Sequence, residues 1–260
     1  MAHSNNPALG ISYLFKALPL LTKPGIKSYV FIPLLINIII FSIGIYFGFV
    51  YFDEYMNSFL DTTDMWGWVA SLVEIFKPIL YVLFALTLLV VIFYTFSILA
   101  NVIAAPFNSL LAEATEKYLT GNTANDSGGM KQLMKDVIPI ILMEIRKLIY
   151  MVLWSIPFLI LLFIIPVVGP IIWFLFTAWM MSLQYMDYPM GNHRLKFREQ
   201  RRLQADSRLL SMGFGGMTMG ASMIPLVNFI VMPTAVIAAT ILWVEQYKSV
   251  QPTSSIRLPK

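Results

Sequence analysis

The chain has 260 residues, of which 58% are hydrophobic and 12% charged, with a formal net charge of +4 and a mean hydropathy of +0.73. A soluble domain carries about 25% charged residues, so this composition excludes an ordinary water-soluble fold and implies an integral membrane protein. With no cysteine, disulfides, thiolate metal sites and cysteine nucleophiles are ruled out.

In chain order, residues 7–21 place Leu9, Tyr13, Leu14, Ala17, Leu18 and Leu21 at a helical period. The segment is too short and too polar to span, which predicts an interfacial helix. Thr22-Lys23-Pro24-Gly25 breaks it. A transmembrane helix is expected over 28–52, with Pro33 near its start, where a missing N–H does least harm. The first residues carry no Lys or Arg and no small-residue cleavage site follows, so this span reads as an uncleaved anchor.

The following loop is acidic, with Asp53, Glu54, Asp61, Asp64 and Glu74 against Lys77. A second, longer membrane helix is expected over 78–119, stopped by Gly121 as a C-terminal cap. Residues 122–129 read as a polar loop, and 130–147 as an amphipathic helix. Two uncharged segments follow, each interrupted by a break without charge. Ile164-Ile165-Pro166-Val167-Val168-Gly169-Pro170-Ile171-Ile172 lines up with Met223-Ile224-Pro225-Leu226-Val227-Asn228-Phe229-Ile230-Val231. A connection in water carries polar groups, and these do not. The reading is therefore two helical hairpins, 148–186 and 209–244, whose tips stay inside the membrane. Paired interrupted hydrophobic segments point to a transport site. Six full spans are the alternative, with the same loops on the same sides. Residues 251–260 are expected to be a disordered tail.

The fold class is thus all-α and integral to the membrane: two long transmembrane helices, two partly inserted (re-entrant) hairpins, and interfacial amphipathic helices, in one membrane domain over 1–250. Lys and Arg concentrate between residues 194 and 208. The positive-inside rule puts the 187–208 segment, the 113–147 segment and both termini in the cytoplasm, with the acidic loop facing outward. A basic run of this kind sets topology and does not require nucleic acid.

Enzymatic motifs are missing: there is no HExxH, GxSxG or phosphate-binding Walker loop, and His3 and His193 lie outside the apolar runs without convergent partners. Nothing calls for a cofactor or a metal. No spanning segment holds a carboxylate pair, which argues for a passive pathway. The polar content at membrane depth is Asn37, Asn101, Asn108, Gln184 and Asn228, each able either to bond between helices or to line a path. Glu113, where the long helix leaves the membrane, is either an interfacial carboxylate or a vestibule group. Gly25, Ile26, Lys27 and Ser28 form a glycine-led turn opening a helix, an arrangement that binds sulfate or phosphate through free N–H groups. A snorkelling lysine on a plain cap is the alternative.

Several stretches carry a family resemblance. They are Lys23-Pro24-Gly25-Ile26-Lys27, Ile32-Pro33-Leu34-Leu35-Ile36-Asn37, residues 100–113 around Ala104-Ala105-Pro106-Phe107-Asn108, Trp173-Phe174-Leu175-Phe176-Thr177-Ala178-Trp179, Gln184-Tyr185-Met186-Asp187-Tyr188-Pro189, and residues 223–233. In order, over residues 14–247, these resemble the bacterial CysZ sulfate permease family. The resemblance implies an oligomeric inner-membrane protein, with two long helices and two partly inserted hairpins, that admits sulfate for cysteine biosynthesis. Passage of sulfite by the same route is expected as well. It implies sulfate binding at Gly25–Ser28 and a role for Glu113 in lining or guarding the route. Two departures stand out: Ser28 replaces the family's second basic residue, and Ser109 a glycine. A non-transporting membrane scaffold, or a carrier of another oxyanion such as phosphate, are the competing functions.

Overall fold

The computed structural model describes residues 4–61, 66–121 and 129–248, leaving aside the side chains of 49, 53, 59, 96–105, 129–141, 143–144 and 225–226. Apart from Gly129, the loop expected over 122–129 lies outside the described residues, as do the expected tail, Asp64 and His3. The described residues form helices and no strand: α1 Pro7–Ala17 with a short 3-10 turn Leu18–Leu20, α2 Lys27–Phe59, α3 Gly67–Thr120, α4 Gly129–Ile164, α5 Gly169–Asn192, α6 Phe197–Asp206, α7 Arg208–Ser222 and α8 Pro225–Leu242, extended by a π-turn Trp243–Tyr247. Four stretches are long and apolar enough to cross a membrane: Lys27–Ser58, Gly67–Thr95, Ile145–Ile164 and Val227–Tyr247. The all-helical membrane class is what the composition calls for.

The chain divides into two compact units, Ile32–Ala104 and the remainder. In the first, α2 and α3 run antiparallel. Tyr81 donates to Asn57 Oδ1 at 3.0 Å, Phe52 meets Tyr81 and Phe84, and Gly48 lies against Ile92. Ile38, Tyr46, Leu72, Val82 and Leu86 are exposed. Helices apolar all round, with little of that surface buried within the protein, belong in lipid.

The second unit carries the protein's buried core, at the junction of α1, α5, α7 and α8: Tyr13, Ala17, Leu183, Leu210, Phe214, Ala235, Val236 and Ile237 are nearly fully buried. Glycines bring the backbones together. A side chain at Gly10 would meet Leu210 and Phe214 backbone atoms, one at Gly213 would meet Pro7, and one at Gly215 would overlap the Ala178 carbonyl. The Gly216-x-x-x-Gly220 spacing is not the tight seam, because Gly220 has open space. Asn6 caps α1, its Oδ1 accepting from Ala8 N at 2.9 Å, and Asn5 Oδ1 accepts from Leu209 N at 2.7 Å.

The boundaries differ from the sequence reading at several points. Helix α2 runs to Phe59, past the expected end at 52 and through Asp53 and Glu54 of the expected acidic loop, and α5 runs to Asn192, past the expected end of the first hairpin at 186. The segment 130–147 and the first hairpin arm form one continuous helix, α4. Helix α3 begins at Gly67, not at Pro78, and has 54 residues, about 80 Å at 1.5 Å per residue. It therefore outruns a hydrocarbon layer of about 30 Å. Helix α7 has 15 residues, about 22 Å, too short to cross. Both hairpin tips are apolar and exposed, with Val167 and Met223 at their apices. Their backbone N–H groups bond within the turns: Gly169 N to Ile165 O at 2.7 Å, Met223 N to Gly220 O at 3.2 Å and Ile224 N to Ala221 O at 3.2 Å.

Candidate functional site

Between the 3-10 turn and α2 the chain reverses at Gly25, whose φ of 87° lies in the left-handed region that glycine adopts without strain. The Lys23 carbonyl accepts from both Ile26 N (3.1 Å) and Lys27 N (3.0 Å). Two N–H groups of the expected anion cradle are therefore occupied, while those of Gly25 and Ser28 have no acceptor among the described residues. Ile26 is buried and pins the turn; Lys27 and Ser28 are exposed.

Facing this turn is the far end of α3. Gly25, Ile26, Tyr29, Glu113, Lys117 and Tyr118 line one cavity of about 410 Å³. Glu113 and Lys117, one helical turn apart, set opposite charges on the same wall. The structure thus brings Gly25, Ile26 and Glu113 together, with Lys27 and Ser28 on the same turn but outside the cavity lining. Lys117 went unnoticed in the sequence, although its i+4 spacing from Glu113 is visible there.

The remaining pathway candidates are dispersed. Asn108 is buried and donates from Nδ2 to Tyr188 Oη at 3.3 Å, and its neighbour Ser109 donates to Asn192 Oδ1 at 2.6 Å. These bonds lock the start of the 108–113 stretch to α5. Asn37 is half-buried in the other unit, Asn228 is exposed on the first turn of α8, and the Asn101 side chain lies outside the described residues. Neither Asn108 nor Asn228 lines the Gly25 cavity.

One turn beyond Glu113 sits a charge cluster that no sequence spacing announces. Glu116 has no solvent exposure; both its oxygens lie 2.9 Å from His193 Nε2, and Oε1 accepts from Lys248 Nζ at 2.7 Å. The Trp243 ring packs 5.0 Å from the imidazole. Burial pushes the carboxyl pKa up, but the hydrogen bonds from His193 and Lys248 outweigh it and hold Glu116 below the ordinary carboxylate range. His193 is thus a partnered group in a buried network. A second buried pair joins Lys147 Nζ to Asp187 Oδ2 at 2.9 Å, with the ammonium 5.0 Å over the Tyr188 ring.

Residues 13–233 match the family described as sulfate transporter CysZ/etoposide-induced protein 2.4. The chain is 39% identical to a sulfate transporter CysZ of Vibrio parahaemolyticus serotype O3:K6 over 255 residues, covering 95% of this chain and 99% of that one. It is 37% identical over 267 residues to a sulfate transporter CysZ of Pectobacterium atrosepticum, covering 100% and 92%. A Vibrio cholerae serotype O1 protein of the same description is 38% identical over 244 residues, covering 92% and 94%.

Proposed function

This chain belongs to the sulfate transporter CysZ/etoposide-induced protein 2.4 family, and we propose that it is a sulfate permease of a bacterial inner membrane that also passes sulfite and supplies sulfate for cysteine biosynthesis. The observation that carries the reading is the shared cavity: the glycine turn at the head of α2 and a charged wall of α3 line one open cleft. The free Gly25 and Ser28 N–H groups, the Ser28 hydroxyl and the Lys27 ammonium form the capture point.

From there the ion meets Lys117 and Glu113. A dianion about 6 Å from one unit charge, at an effective dielectric of 20, feels about 5–6 kcal/mol. Attraction by Lys117 and repulsion by Glu113 are thus of similar size, and neighbours of opposite sign nearly cancel. Such a wall replaces hydration without trapping the ion, as conduction requires. Glu113 orders or excludes ions here, and Asn37, Asn101, Asn108 and Asn228 belong to the onward path. The two hairpins enter the bilayer without crossing it, and their apolar tips pack against lipid or neighbouring subunits of a homo-oligomer. The chain acts as a channel-like transporter and not as an enzyme, with no ATP step.

Lys27→Ala tests the capture point. A hydrogen bond to a charged group contributes roughly 1.5–3 kcal/mol, so sulfate affinity in the purified protein is expected to fall by roughly 10- to 150-fold. Unchanged affinity would remove Lys27 from the site.

A further inference from the structure

Within the second unit, α4 presents a stripe that the transport reading does not use. Arg146, Tyr150 and Trp154 follow one another at four-residue spacing, on one face at the head of the apolar stretch Ile145–Ile164. Arg146 and Trp154 are exposed and Tyr150 is half-buried. Across from them Arg201 of α6 lays its guanidinium 4.6 Å over the Tyr150 ring and 5.3 Å from the Phe197 ring. Its Nη1 donates to Tyr150 Oη at 2.7 Å. Nε is shut off from solvent and has no acceptor, and among the described residues no carboxylate pairs with this arginine. Glu199, its neighbour, is engaged with the Lys196 N–H at 2.9 Å. Arg194, Lys196, Arg198 and Arg202 are exposed around it.

We propose that this surface, Arg146, Arg198 and Arg201 above the Tyr150–Trp154 pair, holds the phosphate of an anionic phospholipid, whose acyl chains lie along the exposed Leu153 and Trp154 side of α4. Three features fit that occupant. The positive charge exceeds the local negative charge, so an anion is drawn in from outside the protein. A guanidinium held flat by aromatic rings, with Nη1 engaged by Tyr150, keeps Nη2 as a fixed charge-assisted donor for a phosphate oxygen. The basic group also adjoins an exposed apolar helix face through Tyr and Trp, residue types that sit at headgroup level. A soluble anion or a nucleic acid would have no use for the apolar continuation.

The test titrates phosphatidylglycerol into the purified full-length protein in detergent and counts retained lipid by native mass spectrometry. Phosphatidylethanolamine and inorganic phosphate are run in parallel. Arg146→Gln and Arg198→Gln are expected to weaken phosphatidylglycerol retention by about fivefold each. Lys77→Gln, which removes the same charge from the other unit, is expected to leave it unchanged. Because both test residues are exposed, their loss leaves the Arg201–Tyr150 stack in place, so misfolding does not mimic the effect. Wild-type retention in both arginine variants would overturn the proposal. So would equal retention of phosphatidylethanolamine, or competition by inorganic phosphate as strong as by the lipid.

Discussion

Replacing Glu116 by glutamine keeps the side-chain size and removes one buried negative charge. The carboxylate has no solvent exposure and is the acceptor for two cationic or polar donors, Lys248 and His193, whose side chains remain 36% and 19% exposed. Hydrogen bonds to charged groups contribute roughly 1.5–3 kcal/mol each, and removing one member of a buried pair costs about 3–5 kcal/mol. Lys248 can turn to water once released, which places the loss for Glu116→Gln at about 2–3 kcal/mol. For a protein of this size each kcal/mol lowers Tm by about 2–4 °C, so the variant is expected to melt roughly 4–12 °C below the wild type in the same detergent. The pH dependence follows from the depressed carboxyl pKa. A group whose folded pKa lies below its unfolded value of 4.5 contributes stability above that value and loses it as pH falls through the folded pKa. Wild type should therefore destabilise relative to Glu116→Gln below about pH 4.5, and the gap between them should close there. The assay is thermal unfolding by tryptophan fluorescence across pH 3.5–8, with a Lys248→Met background to isolate the pairwise coupling. A Tm at neutral pH within about 1 °C of wild type, or a gap that widens on acidification, would refute the reasoning.

Backbone conformation gives a second test. Gly25 has open space where a Cβ would sit but a φ of 87°, so only conformational strain opposes substitution. Gly25→Asn should keep sulfate affinity within a few-fold, while Gly25→Val, at a strain of about 1–3 kcal/mol, should reshape the turn and lower affinity at least tenfold; equal binding by the two variants, read by sulfate titration, would contradict this. Packing gives a third. Gly215→Ala places a methyl on the Ala178 carbonyl and should cost about 1–3 kcal/mol of stability, whereas Gly220→Ala should be neutral or mildly stabilising; a reversed order in thermal unfolding would show that the α5–α7 seam is not where the glycines place it.

Uncharged runs and their paired breaks made the all-helical membrane class and the helix breaks near Pro166 and Ile224 legible in the sequence, because the cost of charge at membrane depth is written into composition. What escaped notice was buried charge. Arg146-Lys147 reads as the end of an amphipathic helix, since adjacent cations mark a membrane boundary; in the fold Lys147 is only 3% exposed and pairs with Asp187, and α4 runs through it unbroken. Pro78 reads as a helix start, yet α3 absorbs it eleven residues into its length. Among the α7 glycines the tight contacts fall at Gly213 and Gly215 and not at Gly216 and Gly220, because the facing helix sets which glycine matters. The Glu116–His193–Lys248 network joins residues 77 and 132 positions apart, a separation that carries no local signal. The Gly25 turn was readable because left-handed backbone and helix starts have residue signatures. Its neighbour Lys117 was not, because nothing local says which face of α3 meets the turn.

The most direct test of the central claim is entry of radiolabelled sulfate into proteoliposomes containing only this chain, without ATP and without a proton gradient. The account predicts saturable uptake that runs down the sulfate gradient and weakens with Lys27→Ala. No uptake from well-folded, inserted protein, or uptake only when ATP is supplied, would contradict it.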